Sequence, residues 1–228
     1  LRDITFTAKK GQTVAFIGST GSGKSTLLNL IPRFYDVTEG SVKVDGVDVR
    51  CMNQKELRDK LGYVPQKGVL FSGTIHSNIA YGCPDAPPEQ VEQAAVIAQA
   101  EEFILEKPDK YETAISQGGS NVSGGQKQRL SIARAIAKQP EILLFDDSFS
   151  ALDFKTDVAL RKALKVATAE TTTLIVAQRI STIIQADLII VLDKGRVAGQ
   201  GIHRELMESC EVYRQIAMSQ LSEEELAG

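Results

Sequence analysis

Between an apolar segment and a helix-forming stretch the chain carries Gly18-Ser19-Thr20-Gly21-Ser22-Gly23-Lys24-Ser25. No other feature narrows the choice of fold as much. Thr13 to Ile17 reads as a short buried strand, and Ser25 to Ile31 as a helix stopped by Pro32. The run between them fits G-x-x-x-x-G-K-[ST] with a strand before it and a helix after it. Glycines let backbone N–H groups turn inward around an anion, where side chains would block the approach. The helix start adds the positive end of its dipole. Ser19, Thr20, Gly21, Ser22, Gly23, Lys24, Ser25 and Thr26 are therefore the expected phosphate cradle, with the Lys24 ammonium facing the outer phosphates of a nucleotide and the Ser25 hydroxyl ligating Mg2+.

The rest of the chain reads as an α/β protein. Asp45-Gly46 between Ser41–Val44 and Val47–Val49 predicts a hairpin. Lys55 to Leu61 reads as a helix and Gly62 to Val64 as a strand; Pro87-Pro88-Glu89 opens a helix that turns Val91, Ala94, Ala95 and Ala98 to one face. Ile142 to Phe145 is an apolar run of buried-strand length. A helix follows over Lys155–Ala167, then strands over Thr173–Ala177 and Asp187–Leu192, with a Lys194-Gly195 turn into Arg196–Ala198. The expected architecture is a P-loop NTPase core with a mainly parallel sheet, an antiparallel β edge and an inserted α-helical subdomain. A single domain, 1–228, is divided into a core of about 1–73 and 139–228 and a helical subdomain of about 74–138.

Composition excludes several alternatives. A net charge of −3, with no basic run longer than Lys9-Lys10, argues against nucleic acid as a partner. Cys51, Cys83 and Cys210 have no metal-ligand spacing and read as reduced structural thiols. No apolar run approaches the ~18 residues that span a bilayer. Leu1 is not a methionine, and Ile4-Thr5-Phe6 reads as a strand already under way, so a piece of a longer polypeptide is expected. Glu223-Glu224-Glu225 reads as a solvated helix end.

A phosphate loop of this kind needs a second metal anchor on a neighbouring strand, and Asp146 at the end of Ile142–Phe145 is placed for it. A further anion site is written in Ser123-Gly124-Gly125-Gln126, followed by Lys127-Gln128-Arg129 and a helix: a hydroxyl and glycine N–H groups at a helix start. Two such starts, far apart in sequence, point to a nucleotide shared between two chains. The segment Ser123–Gln126 resembles the signature motif of ABC transporters, with Val122 where leucine is usual. The resemblance extends over nearly all of the chain. It makes Val64-Pro65-Gln66 similar to the Q-loop, in which Gln66 reaches Mg2+ and senses the transmembrane partner, and Ser150-Ala151-Leu152-Asp153 similar to the D-loop. Leu70–Ile75 with Asn78-Ile79 resembles the exporter branch, and Gln117–Asn121 the loop that meets the membrane domains, although Ser116-Gln117 replaces the usual Gly-Glu.

Two departures from the family pattern bear on chemistry. The catalytic glutamate after the Walker B aspartate is Asp147 here, and the switch-loop histidine is Gln178. Asp is one methylene shorter than Glu, and general-base work requires hydrogen-bond reach of about 2.6–3.2 Å. Gln cannot carry a proton charge. The resemblance thus implies a slow, degenerate site in one half of a heterodimeric exporter, whose intact signature completes the active site of a non-identical partner at the cytoplasmic face of the cell membrane. A non-hydrolysing regulatory nucleotide-binding module is the alternative, as is a non-transport ABC ATPase, which would need a coiled coil longer than residues 75–138 allow. A P-loop kinase or GTPase leaves Ser123–Gln126 without a role.

Overall fold

The computed structural model describes residues 1–221, so the Glu223–Glu225 tail lies outside the described residues. The chain forms two compact units: Leu1–Leu61 together with the segment from Glu170 onward, and Gly62–Ala169. The first unit opens with β1 (Thr13–Gly18), α1 (Lys24–Asn29), β2 (Lys43–Val44), β3 (Val47–Asp48) and α2 (Gln54–Asp59). The second contains β4 (Leu61–Val64), β5 (Gly73–Thr74), α3 (Ile75–Ile79), α4 (Pro88–Ile97), α5 (Glu101–Leu105), β6 (Ala114–Ile115), α6 (Gly124–Ala137), β7 (Ile142–Asp146) and α7 (Phe154–Ala167). The chain returns to the first unit as β8 (Thr172–Val176), α8 (Ile180–Ile183), β9 (Leu188–Asp193), β10 (Arg196–Gly201), α9 (His203–Ser209) and α10 (Glu211–Met218).

In the first unit β1 lies between β9 and β8 and is parallel to both. Val14, Ala15 and Phe16 of β1 and Ile189 to Leu192 of β9 are fully buried, as a parallel sheet covered on both faces requires. Because these strands are parallel, their carboxyl ends share one edge, and the loops that follow β1 and β8 leave from it. β10 closes the other side of β9 antiparallel, with a register shift between Val197 and Gly199. The Asp45-Gly46 hairpin forms as expected, with both residues left-handed at φ 51° and 79°. It is shorter than predicted. The Asp48 carboxylate accepts the Arg50 N–H and turns Val49–Cys51 into a helical turn rather than strand.

Ile4-Thr5-Phe6 is not a strand. Its Phe6 side chain packs on the first unit, edge-on to Phe16 with ring centroids 5.3 Å apart. A reading from alternation alone cannot tell such a strap from a paired strand.

In the second unit β4 lies beside β7. Their contact is close: a Cβ on Gly62 would stand 2.8 Å from the Leu143 and Pro140 side chains. The predicted α4 is present, and its inward face is Val91, Ala94, Ala95 and Ala98, all buried. It packs on α6, as does α3. The antiparallel pair β5–β6 was not predicted; it joins Thr74 to Ala114 through strands of two residues each. The three cysteines are free thiols, Cys210 buried and Cys51 exposed, so only Cys210 fits the reading of a structural thiol. No helix among the described residues is long and apolar enough to cross a membrane.

One charged group organises the second unit. Arg134 on α6 donates to the carbonyls of Asn78 (2.7 Å) and Val69 (2.8 Å) and to Asn78 Oδ1 (2.8 Å). Its guanidinium also covers the stacked rings of Phe71 and Tyr81, at 5.1 and 5.7 Å. Arg134→Leu strands those acceptors and is expected to lower unfolding stability by about 2–4 kcal/mol in urea denaturation. A change below about 0.5 kcal/mol would mean that water replaces the guanidinium without penalty.

Candidate functional site

The first unit supplies the cradle. β1 ends at Gly18, where an added Cβ would stand 2.0 Å from the Leu192 carbonyl oxygen, so no other residue fits. Gly21 and Gly23 follow at φ 80° and 100°, a region that favours glycine. Gly23 is the N-cap of α1 and brings no capping side chain to the helix start. Ser19, Thr20 and Gly21 are exposed on the loop, and Ser25 and Thr26 on the first turn, while Ser22 is buried beneath them. Lys24 is buried, and its Nζ donates to the Gly18 carbonyl (2.8 Å), the Ser19 carbonyl (2.9 Å) and Ser22 Oγ (3.4 Å). The ammonium is therefore held against the loop itself. A glycine-walled turn with a cation at its base and an uncapped helix start fits a polyphosphate.

The same unit carries the loop after β8. Ala177 is buried and donates its N–H to the Phe16 carbonyl, whereas Gln178 and Arg179 are exposed and α8 begins at Ile180. Gln220, just beyond α10, bonds to this loop at both ends: its Nε2 donates to the Gln178 carbonyl and its Oε1 accepts the Ile180 N–H, both at 2.8 Å.

The second unit brings three of the predicted residues, Gln66, Asp146 and Asp147, together. β7 ends on Asp146, buried, which accepts a hydrogen bond from the Tyr63 hydroxyl at 3.4 Å. Burial, reinforced by the Asp146 charge, pushes the Tyr63 phenol up to about 12, so it remains a donor at neutral pH. Asp147 follows in the left-handed region at φ 48° and is also buried. Its Oδ2 accepts the Gln66 amide N–H at 2.9 Å. The turn is pinned by Ser148, whose hydroxyl donates to the Val64 carbonyl at 2.8 Å, and by Ser150, whose hydroxyl donates to the Asp147 carbonyl at 2.8 Å. Asp153 caps α7, accepting the Thr156 N–H and hydroxyl, and the Thr156 hydroxyl holds its carboxyl below the usual range.

Ser123 is the N-cap of α6 in a capping box with Gln126, each side chain accepting the other's backbone N–H. Ser123 and Gly124 are exposed, and a Cβ at Gly124 would meet nothing within 4 Å. Five residues on, the buried Gln128 donates to the Pro65 carbonyl (3.0 Å) and accepts the Gly68 N–H (2.8 Å), spanning the turn that carries Gln66. Sequence reasoning assigned no role to Tyr63, Gln128 or Gln220. Tyr63 lies three residues before Gln66 and is the one that a close reading could have found; the other two act across 60 and 42 residues.

A phosphate loop at the carboxyl end of a parallel β1, with paired carboxyl groups ending a buried strand, defines a nucleotide-binding α/β domain. Comparison with known proteins gives its family. The family described as ABC transporter matches residues 1–150. An uncharacterized ABC transporter ATP-binding protein of Mycobacterium tuberculosis is 47% identical over 223 residues, which is 96% of this chain and 38% of the relative. A putative multidrug export ATP-binding/permease protein of Staphylococcus aureus is 46% identical over 216 residues, 95% of this chain and 37% of the relative. The structure of a bacterial Atm1-family ABC exporter with ATP bound superposes with a TM-score of 0.92 at 42% identity, over 96% of this chain and 38% of that one. The chain belongs to the ABC transporter family and is a nucleotide-binding domain of it. It spans 37–38% of the length of these curated relatives.

Among the described residues no cluster of three His, Cys, Asp or Glu side chains forms a metal centre. Lys24→Ala removes the charge at the base of the cradle. It is expected to weaken ATP-Mg binding by about 10- to 100-fold in a direct titration. Unchanged affinity would remove residues 18–26 from the binding site.

Proposed function

We propose that the chain is the ATP-binding domain of an ABC exporter, that it lies at the cytoplasmic face of the membrane against transmembrane domains, and that its own ATP site is slow. In this reading Lys24 bears on the outer phosphates, and Ser19–Thr26 donate to them through the backbone. Ser25, Gln66 and Asp146 would hold Mg2+, which would spread the charge of the phosphates. The exposed Ser123 and Gly124 at the start of α6 would face the γ-phosphate held by a second ABC subunit, beside the D-loop of residues 150–153.

The observation that carries the slow-site reading is the bond from Gln66 Nε2 to Asp147 Oδ2, 2.9 Å long. A carboxylate at this position has to reach the attacking water. Asp147 is a methylene short for that work, and the amide of the Q-loop already occupies one of its acceptor sites and orients the carboxylate toward Gln66. Gln178 can donate a hydrogen bond to a phosphate but cannot take up charge as an imidazole does. Binding groups are kept while water-activating groups are altered, and loss of positioned general-base help typically slows a reaction ~10²–10⁴-fold with ground-state affinity largely intact.

Unequal damage also bears on assembly. Two identical copies would bring two impaired sites together, each completed by an intact signature. A non-identical partner with an intact base and switch residue would pair one slow site with one fast site. A regulatory module without hydrolysis remains the competing reading, and turnover measured apart from binding separates the two.

Asp147→Glu combined with Gln178→His is expected to raise single-turnover hydrolysis at this site at least about tenfold, with ATP affinity within about twofold of the parent. The measurement uses the assembled transporter with its other site disabled. No gain in rate from the double variant would show that these two side chains do not limit the site. Isolation of the native complex tests the partner: an active assembly containing this chain alone would exclude the heterodimer.

A further inference from the structure

We infer that Gln220 is a positioning residue for the loop that carries Gln178, acting as an external cap for α8. The inference rests on the reading of Gln178 as the switch position. Three observations in the first unit lead to it. The N-cap residue of α8, Arg179, makes no capping hydrogen bond through its side chain. Gln220 Oε1 accepts the Ile180 N–H at 2.8 Å, the contact that a capping side chain would otherwise make. Gln220 Nε2 donates to the Gln178 carbonyl at 2.8 Å, on the other side of Arg179.

One planar amide thus holds the backbone of the exposed Gln178–Arg179 turn at two points. A carboxamide suits this task because it presents a donor and an acceptor together, and a backbone segment offers the matching pair. Gln220 is itself fixed at the end of α10, where its N–H donates to the Ala217 carbonyl at 3.0 Å. Ala217 and Tyr213 of the same helix are fully buried, so the support does not drift. The two hydrogen bonds of the clamp go to Gln178 and Ile180, outside the phosphate loop. It constrains only the direction in which residue 178 leaves β8, and so the place at which the Gln178 side chain meets the γ-phosphate.

The test compares the parent with Gln220→Met and Gln220→Glu in the assembled transporter. Met keeps the length and removes both hydrogen-bonding atoms, whereas Glu keeps the acceptor for Ile180 and loses the donor for the Gln178 carbonyl. Gln220 is exposed, so these variants are expected to fold. Three quantities are read: hydrogen exchange at the Ile180 amide, single-turnover hydrolysis of ATP held at this chain's site, and ATP-Mg affinity. Gln220→Met is expected to speed exchange at Ile180 by roughly 5- to 30-fold and to slow hydrolysis by a comparable factor, with affinity within about twofold. Gln220→Glu is expected to retain Ile180 protection and to give an intermediate hydrolysis rate.

Parent-like exchange in Gln220→Met overturns the clamp. Faster exchange with unchanged hydrolysis overturns its positioning role, and so does a loss of affinity that matches the loss of rate. Gln178→Ala, measured alongside, reports on the switch reading by itself. If hydrolysis ignores Gln178→Ala, that reading fails. If Gln178→Ala slows hydrolysis and Gln220→Met does not, the reading stands and the clamp falls.

Discussion

The closest constraint in the first unit is the approach of β1 to β9 at Gly18. A Cβ there would stand 2.0 Å from the Leu192 carbonyl oxygen, well inside van der Waals contact. Because this residue has no side chain, the two strands run together to their carboxyl ends, in register from Val14↔Leu188 to Gly18↔Leu192. The chain then leaves β1 directly into the turn whose carbonyls hold Lys24. Strand pairing, loop shape and lysine position follow from one missing methyl group. The exposed serine and threonine groups of the loop can be arranged around an anion only because the backbone beneath them has nowhere else to go.

How much of this was legible depended on how local each determinant is. The strand, glycine-rich loop and helix of residues 13–29, the Asp45-Gly46 hairpin, the inward face of α4 and the strand ending on Asp146 are each written in a few consecutive residues, and each formed near where expected. Features set by distant partners were not. β5 and β6 have two residues apiece and no periodicity to read. Ile4–Phe6 alternates like a strand but has no ladder, because the neighbours that decide pairing are outside the segment. The hydrogen bond between Gln66 and Asp147 spans 81 residues, and motif spacing gives no hint that the amide of one would meet the carboxylate of the other. Helices α9 and α10 were not foreseen either, although in α10 the signal is present: Val212, Tyr213, Ile216 and Ala217 recur at helical spacing, whereas the buried residue of α9 is Leu206.

The glutamines do related work in the two units. Gln128 bridges the Pro65 carbonyl and the Gly68 N–H, and Gln220 bridges the Gln178 carbonyl and the Ile180 N–H. In both cases a side-chain amide from outside an irregular backbone segment bonds to one C=O and one N–H of that segment. Such segments keep a defined shape without becoming helix or strand. The arrangement through Gln128 also ties the turn carrying Gln66 to α6, whose first turn is Ser123–Gln126, so displacement of either is felt by the other.

The pairing of β1 has a consequence for how the chain comes into being. Both neighbours of β1 follow residue 170, and the Thr13 N–H finds the Asp187 carboxylate 174 residues later. At ribosomal speeds of ~5–20 residues per second, about 10 to 35 s separate the emergence of these two ends. Throughout that interval an apolar strand waits without its ladder, a state that invites misassociation. The second unit, contiguous in sequence from Gly62 to Ala169, is complete before the first can close. Within this domain the phosphate loop, encoded before the second unit, therefore acquires its final shape after it.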